Sequence, residues 1–175
     1  MTSEGRGIVM LFTGDGKGKT TAAVGAAVRA AGHGMRAFIV QFMKGRYYGE
    51  LEAANKIDGL FIEQFGRDEF VDPDDPEQVD IDLAAKGWRR AREIVENEAP
   101  DMLVLDEINV AVSFGLIPLE DVVRFVEDRP EALDLVLTGR YAPAGLVALA
   151  DCVTEMKEIR HHYGSGTAMR KGIEY

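Results

Sequence analysis

The sequence predicts an α/β sandwich of three layers around a mostly parallel sheet, and three observations carry that expectation. Apolar runs that read as buried strands alternate with helical patterns along the whole chain. Strand–helix alternation implies parallel pairing with right-handed crossovers. A glycine-rich turn, GDGKGKTT (14–21), follows the apolar run IVMLF and opens the first helical pattern.

The apolar runs cover residues 7–12, 36–42, 60–65, 102–105, 133–137 and 152–156. Helical patterns fill 19–31, 81–98, 118–127 and 143–150. In the second of these Trp88, Ala91, Ile94 and Val95 share one face. In the third Leu119, Val122, Val123 and Val126 do the same. Two stretches fit no regular element. GRYYG (45–49) follows a strand, where α/β folds place binding loops. GRDEFVDPDDP (66–76) is acidic and proline-broken, and reads as a mobile loop. The polar tail from Arg160 is glycine-rich and is expected to be partly disordered.

With 175 residues the chain is expected to form one domain, 1–175, large enough for a proper core. No internal repeat or low-complexity segment interrupts it. No apolar run approaches the ~20 residues of a membrane span, and MTSEGRG lacks the pattern of a signal peptide. The expectation is a cytoplasmic protein. A single cysteine, Cys152, excludes an internal disulfide framework or dithiol couple, so electrons for any reduction must come from outside.

The net charge of −10 argues against general nucleic-acid binding. Its distribution is uneven. Residues 58–82 hold ten acids against Arg67 alone, whereas residues 1–50 hold seven Lys/Arg against three acids. The basic portion coincides with the glycine loop, so a small polyanion is the partner to consider.

The window Thr13-Gly14-Asp15-Gly16-Lys17-Gly18-Lys19-Thr20 matches GxxxxGK[ST] except that Thr13 stands at its first glycine. In that pattern backbone N–H groups surround phosphates, a lysine meets their outer charge and a hydroxyl faces Mg²⁺. A dinucleotide GxGxxG fails here because position 19 is lysine and no acid follows at the required strand end. The fold expected is therefore that of P-loop NTPases (RecA-like). A second element, DMLVLDE (101–107), ends a strand in two acids that would serve the metal beside the loop. Residues alone stop at a Mg·nucleoside-triphosphate protein. Glu107 next to Asp106 suits either orientation of a hydrolytic water or metal ligation.

The chain resembles the P-loop ATP:corrinoid adenosyltransferases. The resemblance rests on FTGDGKGKTTAAVGAAVRAAGHGMR (12–36), VQFMKG (40–45), LVLDEINVAVSFGLIPLEDVV (103–123), RPEALDLVLTGR (129–140), ADCVTEMKEIRH (150–161) and GIEY (172–175), in family order. The family loop reads TGxGKGKTT, which accounts for Thr13. The resemblance implies that Co(I) of a corrinoid attacks C5′ of an ATP held in reversed orientation, and that triphosphate leaves. It implies nucleotide contacts from Gly14, Asp15, Gly16, Lys17, Gly18, Lys19, Thr20, Thr21 and Arg29. Thr20 and Glu107 would hold Mg²⁺ (or Mn²⁺), with Asp106 close behind, and Lys19, Thr20 and Glu107 form the implied catalytic set. Phe70, Lys44 and Arg140 would meet the corrinoid, with phosphate a second reading for Lys44 and Arg140. Partners implied are an external reductant such as a flavoprotein and a second copy in a homodimer. His33 reads as a turn residue, and His161 and His162 as solvated.

Departures from the family pattern are specific. The family's Phe-x-Trp corresponds to Phe70-Val71-Asp72, which keeps the phenylalanine and lacks the tryptophan. Met169-Arg170-Lys171 precede Gly172 where the family favours Ala-Gln. Two alternatives stay open at this point: another P-loop ATPase or kinase, and a non-catalytic module that binds nucleotide or adenosylcobalamin.

Overall fold

The computed structural model describes residues 5–161, 166 and 170–173. Six strands form one sheet: β1 (Val9–Thr13), β2 (Ala37–Phe42), β3 (Leu60–Phe65), β4 (Met102–Asp106), β5 (Asp134–Thr138) and β6 (Cys152–Glu155). Their order is β3-β2-β4-β5-β1-β6, and every neighbouring pair is parallel. Parallel neighbours need long crossovers. These are supplied by α1 (Lys19–Gly32), α2 (Gly49–Ala54), α3 (Gln78–Asn97), α4 (Ile108–Ser113), α5 (Leu119–Asp128) and α6 (Ala144–Leu149).

The strands alternate between two cores, which makes the three layers. On one face Val9, Leu11, Val40, Leu103, Leu105, Leu135 and Leu137 pack with Trp88, Ala91 and Ile94 of α3 and with Val122 and Val126 of α5. On the other, Ile39, Val104 and Val136 pack on Ala23, Ala27, Ala30 and Ala31 of α1. Alanines there let the helix following the glycine loop lie close to the sheet. Leu103 is 0% exposed at the centre of the larger core. Leu103→Ala should cost about 3 kcal/mol of stability, a loss readable in urea unfolding.

All six expected strands form, β1, β4 and β5 each reaching one residue further than expected. Two helices were not foreseen. Both α2 and α4 have only six residues, and the sequence of α4, INVAVS, carries β-branched residues that favour strand. Helix α3 begins earlier than its apolar pattern, because Glu77 and Asp80 form a reciprocal capping box. His33 caps the end of α1 as a turn residue.

The acidic stretch 66–76 is irregular, as expected, but held at its base rather than loose. Arg67 donates to both carboxylate oxygens of Asp80 at 2.8 Å and to Glu77 at 2.6 Å. Val71 packs against the larger core, while Phe70 beside it is 96% exposed. Among the described residues no helix is long and apolar enough to cross a membrane. His162, Met169 and the Glu174–Tyr175 end of the tail lie outside the described residues.

Candidate nucleotide site

The glycine loop leaves β1 at the carboxyl edge of the sheet and enters α1 through Gly18, whose φ of 117° admits glycine readily and other residues rarely. Gly14 has φ 93°, and a Cβ there would lie 2.4 Å from the Met156 carbonyl oxygen. Gly16 donates its N–H to that same carbonyl at 2.7 Å. The segment after β6 thus backs the loop, and the glycines are required by this close approach.

Lys19 is 7% exposed and its ammonium donates to the carbonyls of Gly14 and Gly16, both at 2.7 Å. The lysine is folded into the cradle, where phosphate oxygens would replace those carbonyls. Burial lowers its pKa, against the opposing pull of Glu107. Asp15, Lys17 and Thr21 are exposed around the loop. Lys17 Nζ reaches the Ile173 carbonyl at 3.3 Å, and Arg140 reaches the Asp15 carbonyl at 3.4 Å.

Opposite the loop, Asp106 ends β4, 1% exposed. β5 lies between β1 and β4, and its last residue, Thr138, bridges the gap. Thr138 donates to Asp106 Oδ1 at 2.6 Å and accepts the Glu107 N–H at 2.9 Å. Thr20 donates to the same oxygen at 3.0 Å. On Oδ2, Asp106 accepts from Gln41 at 3.1 Å and from Lys44 at 2.6 Å. Gln64 in turn donates to Gln41 Oε1 at 2.9 Å, so three strand ends fix one carboxylate. Gln41 and Thr138 were missed as site residues in the sequence. The signal available was polarity at the last positions of apolar strands, which a bland reading treats as a strand ending.

Glu107 follows with φ 65°, an uncommon conformation for a non-glycine residue and a common one at functional sites. Among the described residues no hydrogen bond reaches its carboxylate. Burial and the charge of Asp106 raise its pKa, against Lys44, Lys19 and Arg140. A raised carboxyl pKa stabilises the fold below the ordinary value of 4.5 and loses that contribution as pH rises through the higher folded value. Glu107→Gln should therefore raise the melting temperature above neutral pH in chelator, with a difference that shrinks towards pH 4.5. Thermal scans across pH check this.

The donors fit a hard divalent cation. Glu107 and Asp106 would offer carboxylate oxygens and Thr20, which donates to Asp106, a hydroxyl. No cluster of three or more His, Cys, Asp or Glu stands ready to hold a metal among the described residues.

Other expected residues are placed differently. Arg29 is exposed in the last turn of α1, ten residues beyond Lys19 and about 15 Å along the helix. Lys44, for which the resemblance implies contact with the corrinoid or with phosphate, turns inward onto Asp106, its side chain 15% exposed. Burial pulls its pKa down, yet the charge and hydrogen bond of Asp106 outweigh that and leave it raised. Arg140 is exposed and leans to the loop, and Phe70 stands clear of the protein. Tyr141, unforeseen, has φ 58° and is 57% exposed next to Arg140, its ring tilted against Phe114 at 6.5 Å.

The fold is the α/β sandwich of the P-loop NTPase class, with the glycine loop joining β1 to α1. A KaiC-like protein from Pyrococcus horikoshii has the same fold, with a TM-score of 0.58 at 15% identity, over 89% of this chain and 75% of that one. Residues 5–175 match the family model ATP:corrinoid adenosyltransferase BtuR/CobO/CobP, and the chain belongs to that family. A corrinoid adenosyltransferase of a Sinorhizobium species is 38% identical over 173 residues, 97% of this chain and 81% of that protein. One from Escherichia coli K12 is 34% identical over 170 residues, 97% and 86% of the two chains.

Proposed function

We propose that the protein transfers the 5′-deoxyadenosyl group of ATP to the Co(I) centre of a corrinoid substrate. The cobalt electron pair forms the Co–C5′ bond, the C5′–O5′ bond breaks, and triphosphate leaves with that pair, so Co(I) becomes Co(III). Membership of the family, with its loop intact, carries this reading. Nothing in the site favours γ-phosphate transfer.

The residues suit a reaction whose nucleophile is supplied by the substrate. No serine, cysteine or histidine has to be activated, so positioning and charge remain as the protein's work. The loop N–H groups from Gly14 to Gly18, apart from that of Gly16, which the Met156 carbonyl holds, would cradle the triphosphate, with Lys19 turning from the Gly14 and Gly16 carbonyls to its oxygens. Arg140, already leaning to the loop, adds charge from the opposite rim. Thr20 and Glu107 would hold Mg²⁺ or Mn²⁺, and Asp106 orients Thr20. When bound there, the divalent cation would neutralise charge on the departing triphosphate.

Phe70 offers an exposed ring for the corrin face, on a loop anchored by Arg67 and Val71. Phe70→Ala should raise KM for the corrinoid about 10-fold and leave KM for ATP unchanged, the scale expected for one lost stacking contact. Steady-state kinetics with each substrate varied measures this. The same family supports a cytoplasmic homodimer that takes electrons from an external flavoprotein, since the chain's one cysteine provides no dithiol.

An anaerobic assay tests the reading. ATP with Co(I) cobalamin, and separately with cobinamide, should give the absorbance of an alkylated corrinoid only with protein present. Failure with both corrinoids, alongside ATP hydrolysis, would overturn it.

A further inference from the structure

The Lys44 ammonium sits where a divalent cation would be needed. It lies 2.6 Å from Asp106 Oδ2 and 3.2 Å from Thr20 Oγ1, donating to both. Its side chain is 15% exposed and that of Asp106 1%. The Tyr48 ring, 5.5 Å from Nζ, covers it further. Thr20 already spends its own proton on Asp106 Oδ1 at 3.0 Å. The hydroxyl's free electron density is what a metal would use, and here it accepts from Lys44. The two cations therefore compete for the same hydroxyl oxygen and the same carboxylate.

The lysine's backbone has little freedom to back away. A Cβ on Gly66 would come within 2.3 Å of the Lys44 nitrogen, and one on Gly45 within 2.6 Å of Arg67 backbone atoms. The end of β2 and the start of the 66–76 loop are thus packed main chain to main chain. The ammonium can move only by swinging its four-carbon stem.

We propose that Lys44 is an internal stand-in for the divalent cation, neutralising Asp106 and Thr20 while the nucleotide is absent and swinging away when Mg·ATP enters. The exchange keeps the buried carboxylate paired at every stage, since an unpaired buried charge is costly. The displaced ammonium then faces the incoming triphosphate. This inference rests on the metal role proposed for Thr20, Asp106 and Glu107.

Mn²⁺ binding to the nucleotide-free protein, read by electron paramagnetic resonance, tests it without turnover. Lys44→Met should bind Mn²⁺ at least ~10-fold more tightly than the unaltered protein, because the competing charge is gone. Lys44→Arg, which keeps a cation, should bind as weakly as the unaltered protein. Lys44→Met should also melt at lower temperature in chelator and recover with Mn²⁺. Equal Mn²⁺ affinity in all three proteins would overturn the proposal.

Should Lys44→Met fail to fold, acylation of Lys44 in the unaltered protein, followed by peptide mass spectrometry, reads the same competition. Labelling should rise with Mn²⁺ concentration, and a flat response overturns the exchange. The metal assignment is checked separately by Glu107→Gln with Mn²⁺ and ATP. Loss of Mn²⁺ there, beside equal affinities in the Lys44 series, would leave the metal site standing and remove only the stand-in.

Discussion

Lys19→Ala should lower kcat/KM for adenosyl transfer by about 10³-fold, most of it in kcat. The reason is where the charge goes. Triphosphate gains negative charge as the C5′–O5′ bond breaks, and Lys19 is a buried cation at the head of α1, 7% exposed. Its hold on two loop carbonyls at 2.7 Å is replaceable by phosphate oxygens without rebuilding the loop. Steady-state kinetics at saturating Co(I) corrinoid gives the number. Lys17→Ala is the useful contrast, because Lys17 is exposed and should lose far less. A loss confined to KM for ATP would assign Lys19 to uniform binding instead of leaving-group stabilisation.

Asp106→Ala should destabilise the fold by about 3–5 kcal/mol in the absence of nucleotide, the range for breaking a buried pair. Its carboxylate accepts from Thr20, Thr138, Gln41 and Lys44. Removing it leaves the mostly buried Lys44 ammonium without its anion and frees Thr138 and Gln41. Urea unfolding in chelator measures the loss. A cost below about 1 kcal/mol would mean that the site relaxes around the gap, at odds with a network shared by three strand ends.

Much of this site was legible in the sequence because its chemistry is local. GDGKGKTT places phosphate donors, lysine and hydroxyl within eight residues, and VLDE ends a strand that can only be buried. The strands were legible for the same reason: each is an apolar run between glycines or charges. What the sequence hid was pairing at a distance. Nothing in LTGR announces that Thr138 fills the space between β1 and β4, because strand order is a property of the sheet and not of any segment. The inward turn of Lys44 was hidden likewise, since a lysine after an apolar run usually meets solvent. Arg29, for which family position suggests a nucleotide contact, is set by helix geometry about three turns along α1 from the loop.

The central claim is that the loop grips the group that is discarded. It is tested most directly by the phosphorus products of one anaerobic reaction, ATP with Co(I) corrinoid, followed by ³¹P NMR. Intact triphosphate, formed in equal amount with the alkylated corrinoid, is the expected result. ADP and phosphate formed at the rate of ATP loss, with or without corrinoid, would contradict it.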